Sequence, residues 1–371
     1  MRIYIIAGEA SGDLHGSHLA LALKSKRPDI SLRGWGGDLM KSAGVHLSKH
    51  YRELAFMGFV EVLLNIRTII RNFKIVQADI LDYKPDALLL IDYPGFNLRM
   101  AKWAKKKGIP VYYYISPTVW AWKENRVEVI RKYVRRLFVI LPFEKDFYAQ
   151  RGIEVSYVGH PLLDAIQHLP EPKAEIAEVC RPSNKECIVL LPGSRKQEIK
   201  AMLPVMLKMK SRFPDFEFVI AGAPGMDASY YEQFTQFNPT PVIFGATYDL
   251  LRIARAGLVT SGTATLEAGL FKLPQVVCYV ANPISFFIAK RLVTIRYISL
   301  INLILSREAV AELIQNDFHE ERLFQELNAL LHNEERIQKM NSDYQELHGI
   351  IGGPGAADKI STELLKTIEL G

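Results

Sequence analysis

The sequence predicts an α/β protein with two doubly wound, Rossmann-like domains that face a cleft. Short apolar runs alternate with longer amphipathic patterns, which is typical of parallel strands joined by helices. A charged, proline-bearing stretch at residues 169–173 interrupts this series, and a second series of the same kind follows it. Each series opens with an apolar run that ends in a glycine turn, at Gly8 and at Gly193. A chain of 371 residues is also too long for one small core.

The first series contains apolar runs of the length that buried parallel strands have. These runs are residues 3–7, 87–91, 111–114, 137–140 and 155–158. Helical patterns fill the intervals near residues 14–26, 57–81, 98–107, 119–133 and 143–151. The alternation predicts a first domain that covers residues 1–168.

The second series predicts another domain, residues 169–350. Its strands are expected near residues 188–191, 218–220, 242–244, 258–260 and 276–280, and its helices near residues 196–212, 248–255 and 263–271. From Ser306 onward the chain is predicted to be almost wholly helical. Glycine-rich residues 352–355 then separate a last helix, residues 356–368, within a final segment at 351–371.

The charge balance favours acidic ligands or an anionic membrane surface, because the net charge is +6 and the isoelectric point is near 9.0. Nucleic acid is not an expected partner, since Lys and Arg are spread widely and no nucleic-acid motif occurs. The three cysteines have neither metal-ligand nor redox spacing, which fits a reduced, cytoplasmic protein. The first apolar run is too short for a signal peptide, and charged residues interrupt residues 284–305. Any membrane contact is therefore expected to be peripheral.

The stretch at residues 257–271 has the pattern of a strand, a sharp loop and a helix, and it predicts a phosphate site. Ser261, Gly262, Thr263 and Thr265 lie where a helix start offers unpaired N–H groups and a positive dipole end. Glu267 follows one turn later, where a carboxylate can accept two hydrogen bonds from a ribose diol. An ordinary helix cap followed by a surface glutamate is the alternative.

Arg195 follows Gly193 and Ser194 at the end of the first strand of the second domain. A guanidinium there can bind phosphate with two parallel hydrogen bonds. A plain surface arginine remains the alternative. No Asp-x-Asp pair occurs in the chain, so a metal clamp for a diphosphate is not expected.

Asp92 follows the very apolar run at residues 88–91, and it is the predicted general base. Partial burial would raise its pKa and suit it to proton transfer near neutral pH. The alternative is a cap for the helix that begins near Asn97. His160 ends the last strand of this domain, where it can approach the cleft or serve a structural role. Trp120 can stack on a sugar or close the core.

The loop at residues 8–16 lacks the spacing of a dinucleotide motif, so no such cofactor is expected. Ser11 at a helix start can hold an anionic group, and Asp13 can cap the helix. Residues 56–64 are more apolar than one helix face needs, and basic residues occur elsewhere in the same half. This combination suits a lipid substrate at an anionic membrane, while a core helix with solvated faces is the alternative.

Taken together and in this order, these motifs resemble lipid-A-disaccharide synthases of Gram-negative bacteria. The resemblance covers nearly the whole chain, and the set of motifs is specific although single members are not. The motifs are residues 8–13, 56–61, 92–96, 116–122, 158–161, 190–195, 261–267 and 300–302. Two positions depart from the family pattern: Gly95 replaces a second acid, which cannot be essential here, and Ile301 replaces a proline before Asn302.

The resemblance implies a GT-B glycosyltransferase fold whose C-terminal helices return to the first domain, and it implies neither a metal nor another cofactor. The implied reaction joins UDP-2,3-diacylglucosamine to 2,3-diacylglucosamine 1-phosphate through an inverted β-1,6 linkage, at the cytoplasmic face of the inner membrane. The resemblance leaves a homodimer possible as the oligomeric state, because members of the family can exchange C-terminal segments between subunits.

The implied sites lie in both domains. The catalytic candidates are Asp92 as base, with His160 and Glu9 as alternatives. The expected UDP contacts are Gly193, Ser194, Arg195, Ser261, Gly262, Thr263, Thr265, Glu267 and Asn302. The expected acceptor or lipid contacts are Ser11, Asp13, Phe56, Met57, Phe59, Val62 and Trp120.

Two other functions compete with this interpretation. Another UDP-sugar enzyme of the same architecture, such as a nucleotide-sugar 2-epimerase, would not need a lipid surface, so residues 56–64 argue against it. A non-catalytic nucleotide-binding or membrane-interaction module would not need a base beside a phosphate site.

Overall fold

The computed structural model describes residues 1–53, 66–121, 124–167, 169–182, 185–281 and 296–370. The chain divides into two compact units, each built on one parallel sheet. The first unit comprises Met1–His168 and Ile351–Gly371, and the second comprises Leu169–Ile350. The predicted fold class, two doubly wound α/β domains with a helical C-terminus, is confirmed.

The sheet of the first unit has seven parallel strands. In chain order they are β1 (Arg2–Ala7), β2 (Ser31–Gly36), β3 (His46–His50), β4 (Ala87–Ile91), β5 (Val111–Tyr114), β6 (Arg136–Val139) and β7 (Ser156–Tyr157). Their lateral order is β3-β2-β1-β4-β5-β6-β7. The direction of winding therefore reverses between β1 and β4. In open sheets of this kind, ligands bind beyond the carboxyl ends of the strands at this reversal.

Helices cover both faces of this sheet, which explains why its central strands are apolar throughout. They are α1 (Ala10–Lys26), α2 (Asp38–Ser42), α3 (Ile66–Tyr83), α4 (Pro94–Lys106), α5 (Arg126–Tyr133), α6 (Pro142–Ala149) and α7 (Pro161–Ile166), with a 3-10 turn at Tyr51–Glu53. Leu88 and Leu90 of β4 pack into the core on one face, and Leu89 and Ile91 pack into the core on the other. In the sequence, such a strand is an unbroken run of apolar residues.

The second unit repeats the plan with six strands in a parallel sheet. They are β8 (Glu186–Leu191), β9 (Phe216–Gly222), β10 (Val242–Phe244), β11 (Ala256–Thr260), β12 (Gln275–Tyr279) and β13 (Ala311–Ile314). The lateral order is β10-β9-β8-β11-β12-β13, so the winding reverses between β8 and β11. The ligand site expected from topology therefore lies where β8 and β11 end.

In the second unit one helix precedes the first strand, helices then alternate with the strands, and two helices follow the last strand. They are α8 (Ala174–Cys180), α9 (Lys196–Arg212), α10 (Ala228–Thr235), α11 (Thr247–Ile253), α12 (Thr263–Leu270), α13 (Leu300–Leu305), α14 (Glu320–His332) and α15 (Glu334–Ile351), with a 3-10 turn at Gln315–Asp317. Cys180, Cys187 and Cys278 are buried free thiols. Among the helices of the described ranges, none combines the length and the hydrophobicity that a bilayer span requires.

The last helix, α16 (Ala356–Glu369), belongs to the first unit and packs on α1 and α7. Ile360 and Leu364 are fully buried in the same core as Ile3 and Ile5 of β1. The Asp164 carboxylate of α7 accepts hydrogen bonds from the N–H groups of Gly355, Ala356 (3.4 Å) and Ala357 (3.1 Å). An acid at this end caps the helix and stabilises its dipole, so the docking of α16 is fixed by packing and by electrostatics.

Several elements differ from the sequence-based expectation. Strands β2 and β3 were not predicted, and neither were helices α8 and α10. The prediction of an almost wholly helical chain after Ser306 is wrong at β13, whose residues Ala311–Ile314 pair with Val276–Tyr279 of β12. Alanine and glutamate favour helix locally, but pairing with a buried strand outweighs that weak preference.

Candidate functional site

The first candidate site lies where the winding of the first sheet reverses, at the ends of β1 and β4. Asp92 and Tyr93 follow β4 with φ angles of +44° and +49°, a left-handed conformation that is rare for residues other than glycine. The Asp92 carbonyl accepts hydrogen bonds from Tyr113 Oη (2.6 Å) and Asn97 Nδ2 (2.7 Å), and its N–H donates to the Tyr114 carbonyl (2.9 Å). Surrounding hydrogen bonds thus hold a strained turn, and such strain is concentrated at functional sites.

The loop after β1 packs directly against this turn. A Cβ atom at Gly8 would lie 2.4 Å from Cδ1 of Tyr93, so only glycine lets the aromatic ring approach the backbone here. Burial and, to a lesser degree, the charge of Glu9 together raise the pKa of Asp92 to about 6, while the N–H of Tyr93 opposes the shift. A carboxylate with this pKa is ionised at neutral pH and is matched to accepting a proton.

His160 has surroundings that favour the structural alternative. Its side chain is 3% exposed, and Nδ1 accepts a hydrogen bond from the N–H of Leu162 (3.3 Å), which caps α7. Burial lowers the pKa of His160 to about 3, and the neighbouring His15 contributes to the shift. The imidazole is therefore neutral at physiological pH, and its Nδ1 atom is engaged in the fold.

Asp13, one of the predicted acceptor contacts, is buried in the fold. Its carboxylate is 3% exposed and accepts hydrogen bonds from the N–H groups of Gly37 (2.7 Å), Leu39 (3.1 Å) and Met40 (3.0 Å). It therefore caps the following helix, α2. Ser11 is exposed in the first turn of α1. Trp120 is partly buried and packs edge-on against Phe143, with ring centroids 5.0 Å apart. The predicted lipid contacts Phe56, Met57, Phe59 and Val62 lie outside the described residues.

The second candidate site is a pocket of about 840 Å³ within the second unit. It lies where β8 and β11 end, as the topology of the sheet leads one to expect. Most of the predicted nucleotide contacts line it together: Gly193, Ser194, Arg195, Ser261, Gly262, Thr263 and Glu267. Across the residues that the structure describes, no cluster of three or more His, Cys, Asp or Glu side chains is suited to a metal ion.

Two strand-to-helix turns shape the floor of this pocket. Gly193 has a φ of +116°, and a Cβ atom there would lie 2.6 Å from Cβ of Glu198. Glu198 Oε2 accepts hydrogen bonds from the N–H groups of Ser194 (3.0 Å) and Arg195 (3.2 Å), which fixes the turn. The Arg195 side chain remains 67% exposed, with Nη1 3.8 Å from Glu198 Oε1. The guanidinium is therefore accessible to an anion in the pocket.

The turn after β11 provides the start of helix α12. Gly262 is the residue before the helix and has a φ of +147°, which favours glycine. Gly262 and Thr263 are exposed and line the pocket, where the helix start offers unpaired N–H groups. The Ser261 hydroxyl donates to the carbonyl of Ile298 (3.1 Å), so its proton is engaged within the protein.

Glu267 lies one turn into α12 and also lines the pocket. Its Oε1 accepts a hydrogen bond from Tyr248 Oη at 3.0 Å. Burial raises the pKa of the Glu267 carboxyl, and the bond from Tyr248 opposes that shift. A carboxylate oriented in this way can accept hydrogen bonds from a ligand diol.

Thr265 and Asn302, two further predicted UDP contacts, have fully buried side chains. Thr265 Oγ1 donates to the carbonyl of Gly262 (2.8 Å). The Asn302 amide donates to Val310 O and to Glu312 Oε1 (both 2.8 Å), and it accepts from the N–H groups of Ala309 (2.8 Å) and Val310 (3.0 Å). Every hydrogen-bonding position of the Asn302 side chain is thus used inside the protein, where it holds the chain at residues 309–312.

Sequence reasoning missed part of the pocket wall. The missed residues include Lys173, Ala223, Pro224, Gly245, Ala246, Thr247 and Tyr248. Most of them follow β9 and β10, whose carboxyl ends lie beside those of β8 at the same edge of the sheet. The strand-end rule that identified Arg195 would have identified these loops as well.

A family model described as lipid-A-disaccharide synthetase matches residues 3–353. The chain belongs to this family. A lipid-A-disaccharide synthase from Syntrophus aciditrophicus (strain SB) is 38% identical over 374 residues, covering 99% of this chain and 98% of that protein. A lipid-A-disaccharide synthase from Myxococcus xanthus (strain DK1622) is 36% identical over 379 residues, covering 100% of this chain and 98% of that protein. Membership of the lipid-A-disaccharide synthase family makes the protein a hexosyltransferase of lipid A biosynthesis.

Solved structures agree on the fold of this family member. A UDP-GlcNAc 2-epimerase from Neisseria meningitidis superposes with a TM-score of 0.69 at 16% identity, covering 99% of this chain and 100% of that one. The glycotransferase of kitacinnamycin superposes with a TM-score of 0.67 at 14% identity, covering 99% and 98%. At such low identity these likenesses establish the GT-B type of fold and nothing about substrates.

Proposed function

We propose that this lipid-A-disaccharide synthase family member transfers 2,3-diacylglucosamine from its UDP derivative to 2,3-diacylglucosamine 1-phosphate. The product is the β-1,6-linked disaccharide 1-phosphate, and UDP leaves. The observation that carries the proposal is the pocket of the second unit, because a helix start, an arginine and a carboxylate line it together. These groups match the diphosphate and the ribose of a nucleotide sugar.

In this proposal the donor binds at the ends of β8 and β11. The N–H groups at the start of α12 and the Arg195 guanidinium bind the diphosphate, and Glu267 accepts hydrogen bonds from the ribose. When the bond between the sugar and the phosphate breaks, negative charge develops on UDP. Preorganised N–H groups and a guanidinium stabilise that charge, so the mechanism calls for no metal ion or other cofactor.

The acceptor is activated by Asp92. Its carboxylate takes the proton from the 6-hydroxyl of the acceptor while that oxygen attacks the anomeric carbon of the donor. The bond from the anomeric carbon to the UDP oxygen breaks on the opposite side, so a single displacement inverts the α-linked donor to a β product. Glu9 raises the pKa of the base, and Glu9 and His160 are the alternatives to Asp92.

The proposed function predicts that the purified protein forms disaccharide from the two lipid substrates in EDTA, with one UDP released per disaccharide. Mass spectrometry of the lipid product and an assay for UDP measure both quantities. The protein with UDP-N-acetylglucosamine alone is the matched control for epimerase activity. Conversion of that sugar at C2, with no disaccharide from the lipid pair, would show that the 2-epimerase alternative is right.

The proposal also places the protein at the cytoplasmic, anionic face of the inner membrane. Helix α3 supports this, because Ile70, Ile75 and Leu81 are about half exposed beside the exposed Arg71 and Lys74. Its opposite side is anchored in the core through buried residues such as Val76 and Ile80. Apolar and cationic side chains on one exposed face are typical of helices that lie at a lipid surface.

Replacing Ile75 by Asp is therefore expected to weaken binding to vesicles that contain phosphatidylglycerol by roughly tenfold or more, since an apolar contact is lost and a repulsive charge is gained. Co-sedimentation at low and high salt measures the change. Leu21→Asp is the matched control, because Leu21 is similarly exposed, at 55%, on helix α1. If Ile75→Asp folds normally and binds vesicles like the parent, α3 is not the membrane surface.

A further inference from the structure

Tyr248 is a pocket residue that the proposed chemistry does not use. It lies in the first turn of α11, directly after the loop that follows β10, and it lines the nucleotide pocket. Its ring packs against Phe271, which ends α12, with ring centroids 5.3 Å apart. The tyrosine therefore bridges the helix that carries it and the helix that carries Glu267.

The hydroxyl of this bridge is directed at the carboxylate of Glu267. Tyr248 Oη donates to Glu267 Oε1 at 3.0 Å, and both side chains are partly buried. A hydrogen bond to an ionised partner is about twice as strong as one between neutral groups, and partial burial strengthens it further. The ring contact with Phe271 restricts the tyrosine ring, so the donor of this hydrogen bond is itself held by packing.

Holding the carboxylate in advance matters for binding. A free glutamate side chain loses rotamer entropy when it is ordered. If Tyr248 orders Glu267 before the ligand arrives, that cost does not reduce ligand affinity. The Tyr248 bond occupies Oε1, and a carboxylate has a second oxygen that can accept from a ligand hydroxyl.

We propose that Tyr248 is a positioning residue that orients Glu267 to recognise the ribose hydroxyls, and that the pair selects a ribonucleotide over its 2′-deoxy form. This inference rests on the proposed function, because it assumes that the pocket binds UDP. A site built to pair with a ligand hydroxyl rejects the analogue that lacks it, since the protein group is then left without a partner. The selectivity therefore depends on the ribose and on both protein residues.

The experiment compares UDP with 2′-deoxy-UDP by calorimetry on the full chain. Tyr248→Phe is expected to weaken UDP binding about threefold to tenfold, the scale of one hydrogen bond. Binding of 2′-deoxy-UDP should weaken less, because that ligand keeps only the 3′-hydroxyl. The dissociation constant of 2′-deoxy-UDP divided by that of UDP should therefore fall toward its value in Glu267→Gln. Adding Tyr248→Phe to Glu267→Gln should have no further effect on that ratio, because the residues act as one unit.

Tyr230→Phe is the matched control, because its hydroxyl donates to a backbone carbonyl, that of Lys196 (2.8 Å), in the same unit. It should leave the ratio unchanged. Equal weakening of UDP and 2′-deoxy-UDP in Tyr248→Phe would overturn the positioning role and leave Tyr248 as a packing residue. An unchanged ratio in Glu267→Gln would overturn the ribose contact itself. Absence of UDP binding to the parent protein would instead refute the proposed function.

Discussion

Asp92→Asn is expected to lower kcat by roughly 10²–10⁴-fold, the usual contribution of a positioned general base. The asparagine keeps the size of the side chain and can adopt the left-handed backbone at this position, but it cannot accept the proton of the acceptor hydroxyl. UDP affinity should barely change, because the residues that line the nucleotide pocket belong to the other unit. Single-turnover kinetics with both substrates saturating isolates the chemical step.

The pH dependence of the parent enzyme gives the same assignment a second test. With the pKa of Asp92 raised to about 6, the base is ionised above that pH and protonated below it. The rate of the chemical step should therefore fall as the pH is lowered through about 6, and Asp92→Asn should lack this limb. A variant that keeps near-normal chemistry, while Glu9→Gln or His160→Ala loses it, would assign the base to one of those residues.

Stability measurements separate this effect from misfolding. Because the fold raises the pKa of Asp92 from 3.8 to about 6, the carboxyl favours folding when protonated, and this advantage is lost as the pH rises through about 6. Asp92→Asn should then unfold with a free energy higher by on the order of 1–2 kcal/mol at pH 8, with a smaller difference near pH 4. A less stable variant at pH 8 would contradict the buried-carboxylate account.

Glu267→Ala is expected to weaken UDP binding by about 1.5–3 kcal/mol, or about 10- to 150-fold, because charge-assisted hydrogen bonds to the ribose are lost. The loss exceeds that expected for Tyr248→Phe, since the accepting group itself is removed. Calorimetry with UDP measures the affinity, and a melting curve checks the fold. Glu232→Ala is the matched control, because Glu232 is exposed on α10 of the same unit.

An unchanged UDP affinity in Glu267→Ala would remove Glu267 from the nucleotide site. Uridine should lose affinity in parallel with UDP if the carboxylate binds the ribose. A loss confined to UDP would instead indicate that the substitution disturbs the diphosphate site at the start of α12.

The central strands could be predicted from the sequence because a strand that is buried on both faces consists of consecutive apolar residues. All five residues of β4 are apolar and fully buried. Two of the outer strands carry no such pattern: β3 has the sequence His-Leu-Ser-Lys-His, and β13 has the sequence Ala-Glu-Leu-Ile. Their conformation is set by pairing with a neighbouring strand that is distant in sequence, and pattern reasoning does not include that partner. Gly34 in β2 illustrates this, since a Cβ atom there would lie 1.9 Å from the carbonyl oxygen of Ile5.

The candidate site was predictable as far as residue type and strand ends allow. Asp92, Arg195 and Glu267 are polar residues that follow strands, and the structure places each at a point where the winding of a sheet reverses. Asn302 is also a polar residue, yet its amide makes hydrogen bonds to the backbone of residues 309 and 310. Tyr248 looked like an ordinary helix residue, because its importance comes from a hydrogen bond to a residue 19 positions away. The burial of a side chain and the groups that it contacts depend on packing in three dimensions, and a sequence pattern does not contain that information.

Because α16 packs in the first unit, it also determines the order in which the two units can finish folding. Domains usually fold during synthesis from the N-terminus onward. Here the first sheet emerges early, but Ile360 and Leu364 of its core are translated after the whole second unit. Until α16 has been made, the apolar surface of α1 and β1 that it buries stays uncovered, so the core of the first unit is completed only after the second unit has been synthesised.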